Sequence, residues 1–187
     1  MYRRATFIST VDNVVEQAFI EKYDTPLVFT PGWRWGETIL PGEKITMEHV
    51  YGEYGTTYPE VYKVKLSGKK IIQTTSSNLS DVFTADPYLQ MGGDATRISN
   101  SKLHILINQK GAKRIKSFEI NGKPIEPNKD YWLITSGAKM QKMANMPKDG
   151  LQKEKAYDVI AEYVRRHKII RSINTENVEY RHSRTAG

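Results

Sequence analysis

Cysteine is absent from the 187-residue chain, which excludes disulfides, thiolate metal sites and a cysteine nucleophile in any compartment. Histidine is scarce: His49, His104, His167 and His182 are the 4 present. None stands in His-x-x-x-His, Asp-x-His or Asn-His spacing, so no self-contained metal centre can be assembled locally. Long apolar runs are missing too, and none approaches the roughly 18 residues that a bilayer span requires. Basic residues near Met1 are not followed by an apolar segment, so the start does not read as a signal peptide. No Gly-x-Ser-x-Gly elbow lies in the Thr74–Ser80 run, and Gly92-Gly93 lacks the Gly-Lys-Ser/Thr ending of a phosphate loop.

What is present is an ordinary globular composition with a basic excess. Hydrophobic residues make up 39%, mean hydropathy is −0.58, and 28 Lys+Arg against 21 Asp+Glu leave a formal charge of +7. The length suits one domain with a real core. The basic residues are spread out. The two densest spots are Lys110–Lys116, which reads as the solvent side of a strand, and Arg165–Arg171, which closes a helix where cations favour the dipole. Neither interleaves aromatics as a nucleic-acid surface would.

Helices and strands alternate along the chain. Val11, Val14, Val15, Ala18 and Phe19 predict an amphipathic helix over 11–23. Leu27–Thr30 reads as a short buried strand, Pro41-Gly42 as a turn, and Thr46 as the cap of a helix through Tyr51. Val61–Leu66 predicts a strand broken at Ser67-Gly68, and Ile71, Ile72, Thr75, Leu79 and Val82 follow at helical spacing. Residues 84–94 read as a loop. Strands are expected at Leu103–Ile107, Ile115–Ile120 and Tyr131–Thr135, with a hairpin at Asn121-Gly122. Residues 136–152 carry no clear period. A helix is expected over 153–168 and a last strand at Val178–Arg181. The expectation is a single α/β (α+β) domain, 1–187, built on one mixed β-sheet flanked by helices.

Few residues stand out chemically. In Pro31-Gly32-Trp33-Arg34-Trp35-Gly36 an arginine sits between two aromatics on a glycine-bounded loop after a buried strand. Its planar fork suits a tetrahedral oxyanion, and it equally suits packing against tryptophan. Asp94, after Gly92-Gly93, is either a turn residue or one that a close backbone brings to a ligand. Arg97 follows just beyond. His49, beside Glu48, is the histidine nearest a loop of interest; His104, His167 and His182 read as structural or exposed.

These segments resemble the C-terminal domain of the 5′-nucleotidase family, and within it the SoxB-like thiosulfohydrolase branch of the Sox sulfur-oxidation system. The likeness runs from about residue 2 to 170. Its carriers are Tyr2-Arg3-Arg4, the Asp12–Val15 helix, Thr30–Gly36, Leu40–Val50, Thr57-Tyr58-Pro59, Asp86–Asp94, and the Ile120–Ile125 hairpin with Tyr131. The resemblance implies an N-terminal metallophosphatase domain, in cis or in trans, that holds two divalent metals, manganese in the first instance. The metal motifs of that domain, Asp-x-His, Gly-Asn-His-Glu and Gly-His-x-His, do not occur here. The expected chain is therefore the substrate half without the catalytic half, with no catalytic residue, metal or cofactor of its own.

By the same resemblance Arg34 takes the place of the arginine in the nucleotidases' Gly-Gly-Gly-Ile-Arg segment, which contacts substrate anion. Gly32, Trp33, Tyr58, Gly92, Gly93 and Asp94 would wall the site, and Arg97 would assist. The nucleotidases' paired stacking phenylalanines fall near Ala95 and Ala138, and their Gly-Gly-Asp-Gly-Tyr segment is replaced by residues 136–150, which favours the sulfur-oxidation branch. The implied ligands are sulfate, thiosulfate, phosphate or a sulfonate on a sulfur-carrier protein, and the implied compartment is the periplasm. No membrane contact and no nucleic acid are expected. The alternative is a non-catalytic module that binds a small anion or a protein.

Overall fold

The computed structural model describes residues 7, 9–32, 38–54, 59–90, 95–137, 148–171 and 178–181. Within them, helices α1 (Thr10–Tyr23), α2 (Met47–Tyr54), α3 (Gly68–Val82) and α4 (Ala156–His167) accompany strands β1 (Val28–Thr30), β2 (Glu60–Ser67), β3 (Arg97–Ile98), β4 (Ser101–Leu106), β5 (Ile115–Ile120), β6 (Lys123–Pro124), β7 (Asp130–Ser136), β8 (Leu151–Lys155) and β9 (Val178–Arg181).

The α/β class is as expected, but the strands form two sheets instead of one. A five-stranded sheet runs β3-β1-β7-β2-β8, and a four-stranded sheet runs β6-β5-β4-β9. Each is mixed: β1 lies parallel to β7, and β4 parallel to β9. The sheets share a continuous stretch of chain, because β3 passes into β4 through Asn100, which turns in the left-handed region at φ 49°.

Alternation along the strands builds two cores on opposite faces of the five-stranded sheet. Val28, Val61 and Ile134 pack with Val11, Val15, Phe19, Val159 and Ile160 under the helix layer of α1, α2 and α4. Phe29, Val64 and Leu133 pack with Ile71 and Leu79 of α3 and with Leu103, Ile105, Phe118 and Ile120 of the second sheet.

Local signals explain most boundaries. The Ser9 side chain accepts from the Asp12 amide at 3.0 Å to open α1, and Asp24 ends it with φ 46°. Thr46 and His49 exchange two hydrogen bonds, Thr46 N to His49 Nδ1 at 3.1 Å and His49 N to Thr46 Oγ1 at 3.4 Å. That is a capping box with histidine in the usual place of glutamate, so His49 serves the start of α2. Ser67 caps α3, and a Cβ on Gly68 would meet the Glu126 carbonyl oxygen at 2.2 Å. Asn121 and Gly122 take φ 52° and 71°, the hairpin geometry their sequence predicts.

Two local expectations change. Residues 153–155, expected as the first turn of a helix, belong to edge strand β8, and α4 starts only at Ala156. Lys110–Lys116 is not one strand face: Gly111–Arg114 is a 3₁₀ turn, and Arg114 points inward. The late basic cluster closes α4 as expected, with Arg166 bonded to Glu21 at 2.5 Å and to Glu162 at 2.6 Å. No described helix is long and apolar enough to cross a membrane.

Candidate functional site

Topology brings described chain that adjoins the sequence's candidates to one end of the five-stranded sheet. The parallel strands β1 and β7 both finish there, at Thr30 and Ser136. The antiparallel partners β2 and β3 both begin there, since Val61 faces Ser136 and Arg97 faces Thr30. Gly32 lies two residues past the end of β1; Tyr58 and Gly92–Asp94 precede β2 and β3 in the sequence. Trp33, Arg34, Tyr58, Gly92, Gly93 and Asp94 lie outside the described residues; the described chain next to them, at Gly32, Pro59 and Ala95, adjoins this end. The carboxyl end of parallel strands, beside a change in strand order, is where open sheets leave a crevice.

The floor of this end is tightly built. A Cβ on Gly137 would stand 2.7 Å from the Pro31 ring, and Gly137 has φ +99°. Only glycine lets the chain leaving β7 cross so close to the chain leaving β1. Gly32 itself is half-buried.

Arg97 is turned into the protein and is 3% exposed. Its Nε donates to Asp12 Oδ2 at 2.6 Å and its Nη1 to the Ala95 carbonyl at 3.0 Å. Asp12 also accepts from the Ser9 hydroxyl at 2.7 Å. Arg97 therefore fixes β3 to the first turn of α1 and supports the site end from beneath. The pairing spans 85 residues of sequence, and no local signal announces it.

A polar row continues across the strands. Cross-strand partners share a face, so Arg97 and Thr30 lie on the helix side, and the next rung of the β1–β7 ladder brings Ser136 alongside Thr30. The hydroxyls of Thr30, Thr135 and Ser136 are buried with no hydrogen-bond partner among the described residues. Glu16 of α1 is also buried, at 7% exposure. Burial, reinforced by Asp12 and opposed by Arg97, pushes its carboxyl up to about 8. Sequence reading missed Glu16; its one signal was that it falls four residues after Asp12, on the same helix face.

The other titratable groups serve structure. Asp86 accepts from the Tyr88 amide at 2.9 Å, closing a turn. His104 sits opposite Glu179 on the β4–β9 ladder, and His167 reaches Glu21 at 2.6 Å. Among the described residues no three His, Asp or Glu side chains converge as metal ligands would. A groove of about 770 Å³ between residues 39–45 and the end of α4, and one of about 480 Å³ beside Asn121 and Trp132, lie away from the β1–β7 carboxyl end.

Comparison with known proteins gives these positions a context. The family signature described as 5′-nucleotidase, C-terminal domain, matches residues 4–147. The solved structure of a sulfate thiohydrolase SoxB from Thermus thermophilus, in complex with glycerol, superposes with a TM-score of 0.89 at 35% identity, covering 96% of this chain and 33% of that one. A 5′-nucleotidase precursor, also from Thermus thermophilus, shares the fold at TM-score 0.74 and 15% identity, over 96% of this chain and 36% of that one. A Haemophilus influenzae NAD nucleotidase does so at TM-score 0.70 and 16% identity, over 94% and 33%. The chain thus spans about a third of the length of each of these structures. Among curated proteins, none matches.

Proposed function

The chain belongs to the 5′-nucleotidase C-terminal domain family, and on that premise we propose that it positions the substrate of a two-domain metallohydrolase, holding a sulfonate or phosphate oxyanion at Arg34. The observation that carries the proposal is convergence. Gly32, Pro59 and Ala95 all adjoin the carboxyl ends of β1 and β7. A guanidinium two residues beyond Gly32 would offer two parallel donors to an oxyanion. Trp33, Tyr58 and the Gly92-Gly93-Asp94 segment would wall the anion, and Arg97 would hold the floor without touching it.

The identity to SoxB over nearly the whole chain favours the sulfur branch. On that reading the substrate is a sulfonate carried on the cysteine of a carrier protein in the periplasm. Two divalent metals in the metallophosphatase domain would supply activated water. The residues of this chain would bind, orient and shield, so the chain alone should hydrolyse neither thiosulfonates nor nucleotides when manganese is added.

Titration calorimetry with sulfate, thiosulfate and AMP tests the proposal. The expected result is binding of sulfate and thiosulfate that Arg34→Ala removes. AMP binding far tighter than sulfate would return the chain to the nucleotidase branch. No anion binding, with Arg34→Ala silent, would leave a protein-binding module, and turnover by the chain alone would refute the proposal outright.

A further inference from the structure

We propose that Glu16 is a positioning residue for the substrate end of the sheet: as a neutral acid it leaves Arg97 to Asp12, and as a carboxylate it competes for that one guanidinium and loosens the β1–β3 edge. The geometry sets two buried carboxyls, Asp12 and Glu16, one helical turn apart on α1, with Arg97 paired to the first. Asp12 already holds the Arg97 Nε and the Ser9 hydroxyl. A second negative charge in the same low-dielectric space costs more than one guanidinium can offset, so the second carboxyl keeps its proton.

Among the described residues, the charged groups that act on Glu16 are Asp12 on its own helix and Arg97 on β3; burial raises its carboxyl to about 8, Asp12 adds to that and Arg97 opposes it. Thr30 and Ser136 on the sheet bring only hydroxyls. On α4, which also packs against α1, Glu162 and Arg166 engage Lys22 and Glu21 at the other end of the helix.

Arg97 is the register partner of Thr30, so a shift of its side chain is transmitted to Thr30-Pro31-Gly32, the stem of the Arg34 loop. If anion binding requires neutral Glu16, the competent fraction one pH unit above the midpoint is about one tenth, and affinity falls about tenfold. Stability follows the same proton. The folded-state value lies above that of an unfolded glutamate, so the contribution of Glu16 is full below pH 4.5 and is lost as pH rises toward about 8.

The test has two arms, of which only the first rests on the anion-binding reading. In calorimetry with sulfate, the wild type should bind about tenfold more weakly at pH 9 than near pH 7, and Glu16→Gln should change less than about twofold; equal losses in both overturn the proposal. In NMR of the wild-type chain, the Glu16 carboxyl carbon should titrate above pH 7 and the Arg97 Nε–H signal should move with the same midpoint. Titration in the ordinary carboxylate range, or an Arg97 signal indifferent to pH, overturns it. Should sulfate bind at no pH, the functional reading fails, and the NMR arm still decides for or against Glu16.

Discussion

Arg97 and Arg114 are almost equally hidden, at 3% and 4% exposure, yet opposite faces of the molecule neutralise them by different chemistry. Under the helix layer, Arg97 meets a carboxylate, Asp12. Beneath the end of α3, Arg114 meets carbonyls: Gln109 at 2.9 Å, Phe83 at 3.3 Å and Leu79, with the Phe83 ring 5.4 Å below its guanidinium. The last turn of a helix leaves carbonyls without partners and carries the negative end of the dipole, so α3 needs no anion to hold a cation. A carboxylate can be protonated or challenged by a second carboxylate, whereas a row of carbonyls cannot. The site end is thus the face that answers to pH, and the α3 end is a fixed clamp.

Variants can break that contrast in order of size. Arg97→Met should be the most damaging, because it strands Asp12 beside Glu16 in the interior; a loss of about 3–5 kcal/mol in urea unfolding is expected, growing as pH rises. Arg114→Met leaves carbonyls unsatisfied but no charge stranded. Its loss should be about 1–3 kcal/mol and flat between pH 6 and 8, and a pH-dependent loss there would erase the distinction. Adding Asp12→Leu to Arg97→Met should recover most of the stability, to within about 1–2 kcal/mol of the wild type, which no second substitution should do for Arg114. His167→Gln, which removes an exposed contact to Glu21, should barely move the unfolding midpoint near pH 7.

The sequence announced whatever is built from neighbours. The Val11–Phe19 spacing placed α1 nearly to the residue, Asn121-Gly122 placed a hairpin, and Thr46 placed the start of α2. What it hid depends on partners far along the chain. Lys153–Lys155 reads as polar helix because an edge strand, paired on one side only, can carry charges. Arg114 looks like one more solvent-facing cation until α3 is folded over it. Glu16 looks like the wet face of a helix, since its burial is set by strands distant in the sequence. The motif residues Trp33, Arg34, Tyr58 and Gly92–Asp94 themselves lie outside the described residues, and topology adds what the sequence could not, that the chain at Gly32, Pro59 and Ala95 meets one end of the sheet.

The strand order has a consequence for how the chain is made. β2 occupies residues 60–67, but both of its neighbours in the sheet come from 130–155. An emerging polypeptide must therefore carry an unpaired, half-apolar strand through the synthesis of the whole intervening stretch before either edge is covered. Such sequence-distant pairing slows folding and exposes edges that invite association. β2 is the segment for which a chaperone would have the longest opportunity, and a chain truncated before Asp130 should aggregate rather than settle into half a fold.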